Sequence, residues 1–518
     1  MRKLLFLFII GLAISLTSCR KDFVFEPNTG GLEFSKDTVY LDTVFTNIGS
    51  STYRLKVYNK SDKDISIPKI QLRKGITSKY RITVDGMTGD VGATNKIFSN
   101  VELLAKDSLF IFIEVTADAA NTNPNDFLYT DKIDFYNISG TPQEVDLVTL
   151  IQDAIFIYPN KTLPNNIKET LVLSGNPTTI EGHELLDSEL NWTNVKPYVV
   201  YGYALVANGK TLTVEQGSNV YFHANSGLIV DKLATLNING QLSDYNADGT
   251  ILIDREIRFE GDRLEPSFED VPGQWGTILI MSQNTSSINH LTIKNATIGL
   301  YVIPLDIDNF YSTKLNINNS QIYNSSNFGI LSIGAEINAS NLVVNLSGQA
   351  NLACTYGGNY NFKQCTFNNN WPSSKQVSVL LNDYFENETT LYINNPINNY
   401  NFKNCIIYGS NQNQLFIDKK STNTFNYDFA NCLIKVNNSI NNPFYPPNNT
   451  TNYNSGCKIS TNASVLNPKF ENANNNRLNL LESSAAIDFG LLLLEVPKDI
   501  IGKNRVGNSD IGAYEFQP

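Results

Sequence analysis

Charge is the scarcest commodity in this 518-residue chain: 17% of residues are Asp, Glu, Lys or Arg, and there are three His, three Trp and three Met. A long helical protein solvates its outer faces with Glu and Lys, so the shortage argues against an all-α fold. No basic tract offsets the formal net charge of -11, which argues against a nucleic-acid partner, because phosphate neutralisation needs clustered Lys and Arg. The six Cys include no CxxC or Cys/His spacing, so no metal and no cofactor is expected. Past the first residues, no apolar run is long enough to span a bilayer. What is plentiful is apolar and aromatic, 42% and 11%, too much for a disordered chain. Asn, Ser and Thr carry the polar share, as in Asn368-Asn369-Asn370 and Asn474-Asn475-Asn476.

The amino terminus reads as an address. Arg2 and Lys3 precede an apolar run from Leu4 to Ile14, and small residues follow, which is a secretory signal over residues 1–19. Leu16-Thr17-Ser18-Cys19 resembles the bacterial lipobox. The resemblance implies that Cys19 becomes the lipidated first residue of the mature chain and its membrane attachment. The alternative is an ordinary cleaved signal with an incidental Cys. In Arg20-Lys21-Asp22 no Asp directly follows the Cys, which implies placement at the outer membrane.

From Phe23 to about Ala154 apolar residues alternate, as in Tyr53-Leu55-Val57 and Leu109-Ile111-Ile113-Val115, with turn clusters such as Asp85-Gly86 between them. This predicts an antiparallel β-sandwich over residues 20–154. Val44-Phe45-Thr46-Asn47-Ile48-Gly49, Leu55-Lys56-Val57-Tyr58-Asn59 and Asp107-Ser108-Leu109-Phe110-Ile111 resemble immunoglobulin-like modules of the ASPM–SPD2–hydin type. With no His or Cys between Arg20 and Ala154, a spacer or adhesion role is expected of this part.

The middle of the chain repeats. Leu212/Val214, Val220/Phe222, Leu228/Val230 and Leu236/Ile238 start eight residues apart, and turn residues separate them. Each pair is one short strand with one buried face, and three strands make a unit of 24 residues. A six-residue motif returns at Ile293, Ile317, Ile337, Phe362, Phe402 and Phe429. Its third place is Asn or Gln in five of six copies, and its fourth is always Ala, Ser or Cys. The 40-residue step from Phe362 to Phe402 fits either one coil with an insertion around Asn382 to Pro396 or two coils. Short strands at this period predict a right-handed parallel β-helix of about 10–14 coils, with the Asn places bonding from coil to coil. Cys365, Cys405 and Cys432 share the place of Ala296, Ser320 and Ser340, so they are expected to be buried structural thiols rather than disulfides.

Leu212-Thr-Val-Glu-Gln-Gly217, Leu228-Ile-Val230 and Pro272-Gly273-Gln274-Trp275-Gly276 resemble right-handed β-helix lipoproteins of bacterial envelopes, with the pectin-lyase-like fold. Asp510-Ile-Gly-Ala-Tyr-Glu515 looks like that group's closing segment. The resemblance implies a cap segment over 155–205, a β-helix over 206–480 and a closing segment over 481–518. It implies no single activity, since some members cleave polysaccharides and others only bind or adhere.

A uronate lyase needs Arg or calcium against the carboxylate and a base for the proton. No Arg lies between Arg263 and Arg477, the last His is His290, and the acids of the repeats are scattered, Asp306 and Asp308 being the nearest to a pair. Asp383 to Glu388 reads as a solvated loop. Charge concentrates from Asp254 to Asp270, directly before Trp275. Arg258, Asp262, Arg263 and Glu265 with Trp275 as stacking platform are therefore the candidate glycan contacts; the competing reading is a charged loop with Trp275 packed inside. His223 and His290 are expected to bond backbone groups, and Tyr198, Tyr201 and Tyr203 to be strand residues. Asp488, Asp499, Arg505, Asp510 and Glu515 are read as ion pairs and turn bonds covering the edge of the last coil. The expectation is a lipid-anchored envelope protein that binds a glycan or surface polymer without catalysis. The alternatives are a polysaccharide lyase or glycoside hydrolase working in an outer groove, and a purely structural component.

Overall fold

The computed structural model describes residues 23–516 except 117–125, 163–166, 247, 249, 306–312, 387–389, 394–397, 438–441, 455 and 462–465. Cys19 with its flanks, Asp306, Asp308 and Glu388 lie outside the described residues. Among the described residues the regular structure is nearly all β, and the chain divides into two compact units between Asp153 and Ala154.

In the first unit, two sheets enclose one core. Strand Ser108–Val115 pairs antiparallel with Tyr53–Tyr58 and Tyr80–Val84, and its alternation sends Leu109, Ile111, Ile113 and Val115 inward. In the other sheet, Pro142–Gln152 pairs antiparallel with Asp126–Tyr136 but runs parallel to Thr38–Phe45. This second sheet is therefore mixed, while the first, as expected, is purely antiparallel. The last long strand of the unit lies beside its first, and the whole intervening chain serves as the crossover that a parallel pair requires.

The second unit is built on two large sheets of 18 and 10 strands whose pairings are parallel, apart from the hairpin of Thr170–Leu173 with Asn176–Glu184. The eight-residue spacing appears as Thr211–Glu215, Asn219–Phe222 and Gly227–Val230. The next strand, Thr235–Asn239, returns onto the first with Leu212 beside Leu236 and Val214 beside Ile238. One interior column can be followed through direct pairings over Trp192, Val214, Ile238, Ile288, Ile317, Ala339, Phe362, Phe402, Phe429 and Tyr453. All ten are buried. Where successive members are aromatic the rings stack, with centroids 5.0 Å apart for Phe362–Phe402, Phe402–Phe429 and Phe429–Tyr453. Tyr427 and Tyr453 both donate to the Phe444 carbonyl, and Phe425 and Phe444 pack against this end of the interior.

This column corrects two of the six motif copies. Ile317 is preceded by Ile288, not Ile293, and is followed by Ala339, not Ile337. At Ile337 the slip is two residues, which keeps the same face inward, so the pattern alone does not resolve it. Ile293 belongs to the next strand column, beside Ile322. Phe362 pairs directly with Phe402, so the 40-residue step is one circuit with an insertion, whose tip is the hairpin Tyr384–Glu386 with Leu391–Ile393. Asp383 is buried, not part of a solvated loop: it accepts from the Lys420 and Ser421 amides.

The polar third place has a backbone cause. Asn319, Asn341, Gln364, Asn404 and Asn431 all hold φ between 49° and 54°, the left-handed region that Asn tolerates best after Gly. His290 occupies the same column with φ 47°. The fourth place is a column of Ser320, Leu342, Cys365, Cys405, Cys432 and Cys457; Ala296 and Ser340 lie outside it. All five described cysteines are free thiols, and the Cys432 and Cys457 sulfurs accept from the Cys405 and Cys432 amides at 3.4 and 3.5 Å.

The C-terminal segment lies along an outer face rather than over the last edge. Tyr514, Ala513 and Ile500 pack with Tyr323 and Val343, while Ile511 and Ala486 pack with Ile406, Tyr408 and Leu433. The Asn column anchors it: Asn341 donates to the Lys498 carbonyl, Asn404 to that of Leu491 and Asn431 to that of Phe489. The expected bonding along the Asn column holds between paired strands at Asn341 to Asn319, 2.9 Å.

Candidate functional site

The charged stretch before Trp275 lies at a corner between the two large sheets, and its arginines are already engaged. Arg258 pairs with Asp254 at 2.5 Å and Glu256 at 3.3 Å. Arg263 grips Glu265 through Nε and Nη2 and lays its guanidinium 3.8 Å over the Phe268 ring. Trp275 is 1% exposed, stacks on Phe222 at 4.3 Å and donates its indole N–H to the Lys294 carbonyl. It is therefore no stacking platform. Its strand, Trp275–Ile280, is covered on both neighbours by parallel pairing, so an alternating pattern with Trp at an inward place buries the ring.

Asp262 does something the spacing did not suggest: its carboxylate meets His223 Nδ1 at 2.8 Å, across 39 residues. Tyr201 stacks on the imidazole with centroids 4.4 Å apart. The Asp262 bond raises the His223 pKa above its ordinary value, and burial pushes the Tyr201 phenol up to about 12. His223 is 48% exposed, so the group reaches solvent. His290, by contrast, is pushed down by burial, and its main-chain amide bonds the Asn318 carbonyl; the His223 ring meets a carboxylate, not the backbone group expected of it. Tyr198 and Tyr203 lie in the strands Tyr198–Val200 and Tyr203–Val206, while Tyr201 falls in the turn between them. Beside the His223 turn a groove of about 360 Å³ is lined by Tyr203, Asn225, Gln274, Gly276, Thr277 and Thr297 among others.

A second polar surface lies on the outward side of the strands that carry the interior aromatic column. Asn316, Asn338, Asn361 and Asn401 stand in direct register, with Asn338 donating to Asn316, Asn361 to Asn338 and Asn401 to Asn361 at 3.0–3.3 Å. Next to them Asn399 donates to Asn359 at 3.0 Å. A primary amide has two donors and two acceptor lone pairs. Asn338 and Asn361 each spend one donor and one acceptor on the ladder and keep one of each, at an interval of ~4.8 Å. Both rows are exposed or partly exposed.

The C-terminal acids are turn and strap bonds. Asp499 accepts from the Lys503, Ile501 and Glu515 amides, and Asp510 from those of Asp488 and Phe516. Arg505 is buried between Glu515 and the Asn341 side chain. Among the described residues, no three His, Cys, Asp or Glu converge as metal ligands. Burial pushes the Cys354 and Cys405 thiols well up. Lys435, unremarked in the sequence, is 8% exposed and donates to the Gly409 carbonyl at 2.6 Å; burial lowers its pKa.

No family model matches the chain, and no curated protein matches it. Solved structures similar to parts of it include three of distinct kinds. A family 123 glycoside hydrolase from Clostridium perfringens is 8% identical, with a TM-score of 0.17 over 25% of this chain and 30% of the hydrolase. The periplasmic chaperone SfaE is 14% identical, with a TM-score of 0.16 over 24% of this chain and 58% of the chaperone. The ASH/PapD-like domain 7 of human CEP192 is 11% identical, with a TM-score of 0.16 over 27% of this chain and 94% of that domain. At these scores the similarities carry no argument about fold or function.

Proposed function

We propose that this is a lipid-anchored protein of the bacterial envelope, held at the outer membrane through Cys19. In this reading an immunoglobulin-like spacer carries a right-handed parallel β-helix that binds a neutral glycan without cleaving it. The observation that carries the binding role is the amide wall of Asn316, Asn338, Asn361 and Asn401, a regular row of alternating donors and acceptors with free bonding capacity outward. Vicinal hydroxyls of a glycan chain have the complementary donor and acceptor pairs. The strand periodicity and parallel register support the helical architecture. Engagement of Arg258 and Arg263 in ion pairs, and burial of Trp275, support binding at the wall rather than at the charged corner.

The test is co-sedimentation of the full chain with insoluble neutral polysaccharides. Binding is expected for at least one, and lost when Asn338 and Asn361 are both changed to Asp, which sets like charges along the wall. Retention of binding by that variant, or turnover of the polymer, defeats the reading. Membrane fractionation of Cys19→Ala tests the anchor separately: continued membrane attachment would sink it.

A further inference from the structure

The corner groove beside His223 has features the amide wall does not use. From them we infer that it is a binding site for a single neutral pyranose ring. The wall is bare there because Gly227 and Gly276 occupy successive strands. A Cβ on Gly276 would stand 2.3 Å from the Tyr203 hydroxyl, and one on Gly227 would stand 2.6 Å from the same ring. Side chains at either place would displace Tyr203, so the glycines let the phenol ring lie flat against the backbone. A flat ring so held leaves its opposite face for the C–H face of a sugar.

Thr277 and Gln274 also line the groove. The Gln274 amide is spent on the Phe268 and Val271 carbonyls, whereas the Thr277 hydroxyl bonds to no protein atom. Leaving such a group unpaired costs about 1–3 kcal/mol, so a hydroxyl-bearing occupant that meets it is favoured. Asn225 adds an exposed amide from the turn after His223, held at φ 59°. None of the groove's lining residues carries a formal charge, which selects a neutral ring over a uronate or a phosphorylated sugar. A volume of about 360 Å³ lies at the small-ligand end of binding pockets, which suits one ring rather than a chain.

Saturation-transfer NMR on the full chain provides the test, with the methyl glycosides of glucose, galactose, mannose and N-acetylglucosamine as probes and methyl glucuronide as the charged control. At least one neutral glycoside receives saturation and the glucuronide does not. Thr277→Val, which keeps the shape of the side chain, weakens that glycoside about fivefold, the loss of one hydrogen bond. Tyr203→Ala abolishes its binding and Tyr203→Phe retains it. The Asn338/Asn361 wall variant leaves the signal unchanged, so failure of the groove and failure of the wall are read apart. Saturation of no neutral glycoside, equal saturation of the glucuronide, or affinities unchanged in both Thr277→Val and Tyr203→Ala would overturn the assignment, leaving the groove to ordered water.

Discussion

The two units solve one problem, how to solvate a sheet, in opposite ways. In the first, neighbouring strands come from unrelated stretches of sequence, and charges of opposite sign meet across them: Arg73 with Asp134 and Glu144, Lys132 with Glu144 and Asp146, Arg81 with Glu114. In the second, each strand lies on a near-copy of itself, so a side chain faces its own kind. Identical charges at that spacing repel, whereas identical amides bond. Where lysines do stack, Lys363 beside Lys403, the first is met by Glu495 of the C-terminal segment. Repetition thus selects against charge, and the shortage of Lys and Glu follows from stacking rather than from any particular ligand.

The largest effect should come from the stacked core. Phe402→Ala removes a ring sandwiched between Phe362 and Phe429 and is expected to cost about 3–5 kcal/mol, read as an earlier urea transition of the second unit alone. A matching shift in the first unit would break the comparison by showing that the units unfold together. Next is the turn column. Asn404→Ala loses two bonds with Leu491 and places a Cβ without a local polar partner at φ 51°, for a total of about 2–3 kcal/mol. Asn404→Gly should recover about 1 kcal/mol of that in the same melts.

The two histidines titrate in opposite directions, which imidazole C–H NMR would register. For His223 the folded pKa is raised, so its contribution is complete below the ordinary value and is lost as pH rises through the folded one. For His290 the folded pKa is lowered, so a penalty develops as pH falls below the ordinary value and levels off under the folded one. Asp262→Asn should remove the upward shift of His223 and leave His290 unmoved. The smallest effects sharpen the contrast most. Asn361→Ala and Arg81→Ala should each cost about 0.5 kcal/mol, but only the Arg81 difference should vanish in 1 M salt.

Legibility in the sequence followed repetition. The eight-residue spacing predicted which residues turn inward from Leu212 to Ile238, because period-two burial leaves a direct trace. The Phe362, Phe402 and Phe429 copies were found in their true register because the whole motif, with its Cys, recurs. Ile337 was misaligned because apolar alternation tolerates a slip of two, and Ile293 because the neighbouring strand column carries a similar apolar pattern. Cys457 was missed as a member of the sulfur column because its flanks, Ser455-Gly456 and Lys458, do not match the motif. The His223–Asp262 contact spans 39 residues, and no local pattern marks it.

By itself, then, the sequence determined the strand period, the inward faces and the substitution of amides for charge, since each is a local consequence of stacking like upon like. Only the tertiary structure decided what lies beside what once the copies end. It buried Trp275 against Phe222, laid the C-terminal segment along a flank instead of an edge, and joined His223 to Asp262. Those contacts are between unlike segments far apart in the chain, where no repeat announces the partner and packing alone chooses it.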